Sequence, residues 1–137
     1  ASGGIDQSWN NTYAAKGVYS FIDEEWNSYN RNNTDAFDSI QDLISVAVNP
    51  SDPNNAFVGS WGKGLLEFNN GEITEIYNEH NSSISEMVNR EDFYAIGGLC
   101  FDDENRLWVT NSANPNALNV KDINDNWYAF SLSPYVS

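Results

Sequence analysis

Little in this chain can carry covalent or metal chemistry. It holds one cysteine, one histidine and one methionine in 137 residues. A lone cysteine excludes an internal disulfide. Cys100 lies within an apolar run, so it reads as a small buried hydrophobe, reduced and slow to meet alkylating reagents. The lone histidine, His80, sits in a polar loop between Glu79 and Asn81, whereas metal sites need several convergent ligands. The sequence has no phosphate-binding glycine loop, no nucleophile triad and no zinc spacing. DDENR at 102–106 lacks the spacing of an EF-hand calcium loop. Glu91 and Asp92 are adjacent, and adjacent side chains diverge, so they make a poor glycosidase pair. No catalytic residue, metal ion or cofactor is therefore expected, and the chain reads as a non-enzyme.

Basic residues are also scarce, six against twenty acidic, for a net charge of −14. Such a surface repels nucleic-acid phosphates, so no DNA or RNA partner is expected. It keeps the chain soluble and favours basic partners or divalent cations. Long hydrophobic runs are missing, and these residues contain no membrane span, signal peptide or basic anchor. Aromatics, at 14%, are too many for a disordered chain.

What is present is a repeat. Residues 43–77 hold four short apolar runs separated by turns. Leu43–Val48 is followed by NPSDPNN, Ala56–Trp61 by Gly-Lys-Gly, and Leu65–Phe68 by Asn69-Asn70-Gly71, a strong hairpin signal. Glu72–Tyr77 closes the set. The pattern recurs at 96–132. Ile96–Phe101 matches the first strand and Leu107-Trp108-Val109 the second, while Leu118 and Val120 match Leu66 and Phe68. The pairs Ile73/Ile76 and Trp127/Phe130 mark the fourth strands. Half a unit stands earlier, with Gly17–Phe21 as a third strand and Trp26 and Tyr29 marking a fourth. Four strands repeating at about fifty residues signify β-propeller blades. The fold class is all-β: a propeller segment of about two and a half four-stranded antiparallel blades (17–29, 43–77 and 96–132). Residues 1–16 are polar, with Ile5, Trp9 and Tyr13 to bury.

AFVGSWGKGLLEFNNGEI resembles the blade core of the two-component-regulator type propeller repeat, and GLCFDDENRLWVTNS is similar to the LWVGT-type segment of that repeat. The longer stretch VAVNPSDPNNAFVGSWGKGLLEFNNGEITEIYNEHNSSI more narrowly resembles PorZ-like proteins, propeller-bearing surface components of type IX secretion in Bacteroidota. The resemblance covers residues 17–132. It implies a cell-surface or periplasmic location and a non-catalytic module. Its implied partners are a protein of the secretion machinery and an anionic lipopolysaccharide or oligosaccharide. The alternatives are the periplasmic oligosaccharide-sensing propeller of a hybrid two-component sensor, and a polysaccharide-processing enzyme.

Antiparallel order sends the short turns to one end of each blade and the long connectors to the other. Binding residues favour varied loops on a rigid scaffold, so the connector end is the expected site. Trp61, Lys63, His80 and Arg90 are its candidate ligand-binding residues. Trp61 reads either as a sugar-stacking platform or as a blade-packing tryptophan. Helical turns are expected around Ala36–Ile40 and after Ser85. The expected core is Ile44, Val46, Val48, Phe57, Val58, Leu66, Phe68, Ile73, Ile76, Leu99, Phe101, Leu107, Trp108, Leu118, Val120, Trp127 and Phe130. Two and a half blades close no ring and leave the outer faces of both terminal units bare. The segment is therefore expected to join further propeller blades or other chains, or to self-associate.

Overall fold

The computed structural model describes residues 1–132 and is all-β but for one 3-10 turn, Asp35–Asp38. The first hairpin pairs β1 (Val18–Ile22) with β2 (Glu25–Tyr29). A four-stranded meander follows, of β3 (Leu43–Val48), β4 (Asn55–Gly62), β5 (Gly64–Asn69) and β6 (Glu72–Tyr77). The second meander is β7 (Tyr94–Phe101), β8 (Leu107–Asn111), β9 (Leu118–Lys121) and β10 (Trp127–Phe130). All pairings between named strands are antiparallel. The fold is a β-propeller segment.

The first hairpin is built as a third and fourth strand. Val18 pairs with Tyr29 just as Leu65 pairs with Tyr77. Gly17 immediately precedes β1 and Gly64 opens β5, with φ of 77° and 88°. At each, a Cβ would collide with the carbonyl oxygen of that same tyrosine, so glycine is required on two counts. β1–β2 therefore repeats β5–β6.

Side-chain alternation decides the packing. In β4, Val58 turns with Leu66 and Phe68 toward the hairpin, joining Val18, Phe37, Ile40 and Leu43 in one core. Phe57 turns the other way with Leu65. Both join Tyr94, Ile96, Leu107 and Val109 in a second core, sealed by Ile84 from the connector. Phe57 meets Phe101 edge-on, with ring centroids 5.9 Å apart. Strand β4 thus lies between two cores, as a propeller blade requires.

Several expectations need correction. Of the predicted core, Phe57, Val58, Leu66, Phe68, Leu107 and Val120 are buried, but Val46, Val48 and Phe130 are exposed. Ile44, Ile73, Ile76, Leu99, Phe101, Trp108, Leu118 and Trp127 are half-buried. All of these residues line blade faces, and Val46, Val48 and Phe130 lie on faces left open among the described residues. Cys100 is exposed, not buried. Its neighbours Leu99 and Phe101 take the side facing the first meander. The period of two then turns Cys100 outward beside Trp108, its strand partner. No helix forms after Ser85. The two meanders are also joined by strand pairing, since the end of β4 reaches β7 through Trp61↔Ala95 and Gly62↔Tyr94.

Two outcomes follow. Phe57→Ala should lower the unfolding free energy by about 3–5 kcal/mol, and Val48→Ala by well under that, read from denaturant titrations. Cys100 should react with a water-soluble maleimide in native buffer about as fast as in denaturant.

Candidate functional site

The connector end is built by the end of β4, the start of β7, the 78–93 connector and the N-terminal segment. The N-terminal segment is held by one carboxylate. Asp42, fully buried, accepts hydrogen bonds from Asn11 Nδ2 (2.9 Å), Thr12 Oγ1 (2.7 Å), Tyr13 N (3.0 Å) and Ala14 N (2.9 Å). Asn11 Nδ2 also donates to the carbonyl of Trp61 at 2.8 Å. Burial pushes the Asp42 carboxyl upward, but the hydrogen bonds from Thr12, Ala14, Asn11 and Tyr13 outweigh it and hold it below the usual carboxylate range.

The four candidate residues separate into two groups. Trp61 is only 2% exposed, packed with Phe93 and Ala95, and its indole N–H donates to the Trp9 carbonyl at 3.0 Å. It offers no face to a ligand, so the packing reading of this residue holds. Arg90 lies above Phe93, its guanidinium carbon 3.4 Å from the ring centroid, and donates to Asn11 Oδ1 at 3.3 Å. Lys63 and His80 instead share a shallow recess of about 300 Å³ with Asp92 and Tyr94. Burial, then the carboxylates Glu79, Glu86 and Asp92, push the Tyr94 hydroxyl above the ordinary phenol range. Neither Lys63 nor Arg90 forms an ion pair among the described residues, whereas Arg106 and Lys121 are held by Asp102, Glu104 and Asp125.

The exposed aromatics of this end are Trp9 and Tyr13, 66% and 71% exposed. Sequence reasoning assigned both to burial. Each has positive φ, 62° and 58°, an uncommon conformation for bulky residues that persists only where the surroundings impose it. At Tyr13 the surroundings are Asp42. At Trp9 they are a turn in which Asp6 Oδ1 accepts from Ser8 N (2.7 Å) and Asn10 N (2.9 Å). The same turn recurs at 102–106 and 122–126, where Asp102 and Asp122 bind the backbone two and four residues on. Its signature, Asp followed four residues later by Asn or Arg, was the legible signal that residues 5–11 form a tight hairpin.

Among the described residues, no three His, Cys, Asp or Glu side chains converge as metal ligands. The Asp102 carboxyl lies well below its usual range, chiefly through the indole N–H of Trp108 at 2.7 Å. That carboxylate ties turn to strand.

No family model and no curated protein sequence matches the chain. A solved structure does. It is PorZ of Porphyromonas gingivalis, described as an essential bacterial surface component of the type-IX secretion system. The TM-score is 0.72 and the identity 26%, over 87% of this chain and 18% of that one. The fold is PorZ-like. The chain spans only about a fifth of that protein's length. No helix among the described residues is long and apolar enough to cross a membrane.

Asp42 gives a test. With its pKa lowered by folding, its contribution is complete above the unfolded value near pH 4. It is lost as the pH falls through the lower, folded value. Asp42→Asn, which keeps a residue tolerant of positive φ, should remove that acid dependence and cost about 1–3 kcal/mol. It should also speed proteolysis within residues 1–16. Both are read by limited digestion and by unfolding across pH 2 to 7.

Proposed function

We propose that the chain is a non-catalytic propeller module of a cell-surface or periplasmic, PorZ-like protein, and that it binds an anionic glycan during type IX secretion. The observation that carries the reading is the structural likeness to PorZ over most of the chain, at 26% identity. The glycan preference is supported by the chemistry of the connector end. Exposed aromatic rings offer apolar faces to sugar rings, and cations without carboxylate partners suit sugar acids or phosphates. Trp9 and Tyr13 supply the first, and Lys63 and Arg90 the second. Both cations stand at one end of a chain whose net charge is −14. The left-handed backbone at both aromatics keeps them presented before any ligand arrives, which lowers the ordering cost of binding.

The test is a tryptophan-fluorescence titration of the purified chain with anionic lipopolysaccharide and with a neutral oligosaccharide. The anionic ligand should bind in preference. Trp9→Ala and Arg90→Ala should each weaken binding about tenfold while the chain stays folded, as read from its unfolding transition. Unaltered affinity in both variants, or release of shortened sugar, would overturn the reading.

A further inference from the structure

The short-turn end, opposite the connectors, holds a cavity of about 210 Å³ between the two meanders. The aspartate-headed turns at 102–106 and 122–126 supply part of its wall. In each turn the residue three after the aspartate, Asn105 or Asp125, lines the cavity. Both have positive φ, 59° and 64°. Trp9 holds the same place after Asp6, also with positive φ. The turn thus presents its fourth residue in one fixed backbone conformation, here an amide and a carboxylate. Asn105 Oδ1 accepts from Ser51 Oγ of the first meander at 3.2 Å. Its Nδ2 donates to no acceptor among the described residues.

Lys121 also lines the cavity and is only 9% exposed. Its ammonium lies 5.8 Å and 5.9 Å from the ring centroids of Phe57 and Tyr77. An ammonium carries three protons to satisfy. Asp125, itself largely in solvent, accepts one, and no other described residue accepts another. Glu67, from the first meander, accepts from Asn55 Nδ2 at 2.8 Å and from the Tyr77 hydroxyl at 2.6 Å. Both carboxylates keep lone pairs in reserve. Phe101 and Ile123 give the cavity an apolar side, and Ile123 is 68% exposed.

We propose that this cavity binds a single neutral sugar ring. Unused donors on Lys121 and Asn105 stand beside unused acceptors on Glu67 and Asp125, and hydroxyl groups meet both because each donates and accepts. The C–H face of the ring packs on Phe101 and Ile123. The volume suits one ring, since pockets for larger ligands begin at about 300 Å³. Glu67, Asp122 and Asp125 against one ammonium disfavour a uronate or a sugar phosphate. A cationic amino sugar meets the buried Lys121 ammonium instead. The site is separate from the connector end in place and in charge, and it stands whether or not that end binds an anionic glycan.

The test follows backbone amide shifts of the isotope-labelled chain by NMR during titration with glucose, galactose, mannose and N-acetylglucosamine. Glucuronate and glucosamine serve as charged counterparts. At least one neutral sugar should give saturable shifts in residues 102–106 and 121–125, and should bind about tenfold tighter than either charged sugar. Lys121→Met keeps the stem against Phe57 and Tyr77 but removes the ammonium. Asn105→Asp keeps a residue tolerant of positive φ but removes the amide donors. Each should weaken binding about tenfold, whereas Trp9→Ala, at the connector end, should leave it unchanged. If Lys121→Met disturbs the fold, Asn105→Asp in its half-exposed turn decides. No saturable shift with any neutral sugar overturns the proposal. So does unaltered affinity in Asn105→Asp, or tighter binding of glucuronate or glucosamine.

Discussion

Phe57 and Val58 are neighbours in β4 and point into different cores, and almost every other contact is arranged around that fact. A strand buried on both faces requires apolar residues at successive positions, not alternate ones, and Asn55–Gly62 supplies them. Toward Val58 lie the first hairpin and the 3-10 turn at Phe37. Toward Phe57 lie the second meander and Ile84. The same strand ends by pairing with β7, so the two meanders share hydrogen bonds as well as side chains. The stack is held at its middle and becomes progressively less covered toward both terminal units. Val46, Val48 and Phe130 are exposed because of where they stand in it, not because of their chemistry.

Turn chemistry and the spacing of apolar runs made the architecture readable. NNG and the Gly-Lys-Gly break fall where β5–β6 and β4–β5 turn, and the half-unit at Gly17 is a strand pair of the type the repeat implies. Facing was less readable. Period-two reasoning identifies which residues share a side, but it cannot tell a covered side from a bare one. Cys100 failed for that reason, as did Val46, Val48 and Phe130. Of the buried residues missed from the core, Phe37, Ile84 and Phe93 lie in connectors where no strand period exists, whereas Leu43, Leu65, Tyr94, Ile96 and Val109 lie in strands.

The connector end was legible as a place and less so as a list. Lys63 and His80 do meet in one recess, and Arg90 sits apart over Phe93. Trp61 and Trp9 exchanged the roles their sequence context implied. The strand-end tryptophan is covered, and the one in the polar N-terminal segment covers it while staying largely in solvent. That exchange depends on Asp42, whose partners come from residues 11–14. A buried carboxylate satisfied by distant backbone N–H groups leaves no trace in local patterning. The acidic composition likewise conceals how charge is distributed, since Arg106 and Lys121 are neutralised by neighbours while Lys63 and Arg90 are not.

Native-state hydrogen exchange of individual backbone amides tests the layered account most directly, because it reports the opening free energy strand by strand. The account predicts that the amides of Phe57, Val58 and Gly59 exchange only through global unfolding, with the free energy obtained from denaturant titration. Those of β1 and β10 should open far more readily. Amides in β4 that exchange as fast as those in β1 would contradict it, because the strand could not then be the shared wall of two cores.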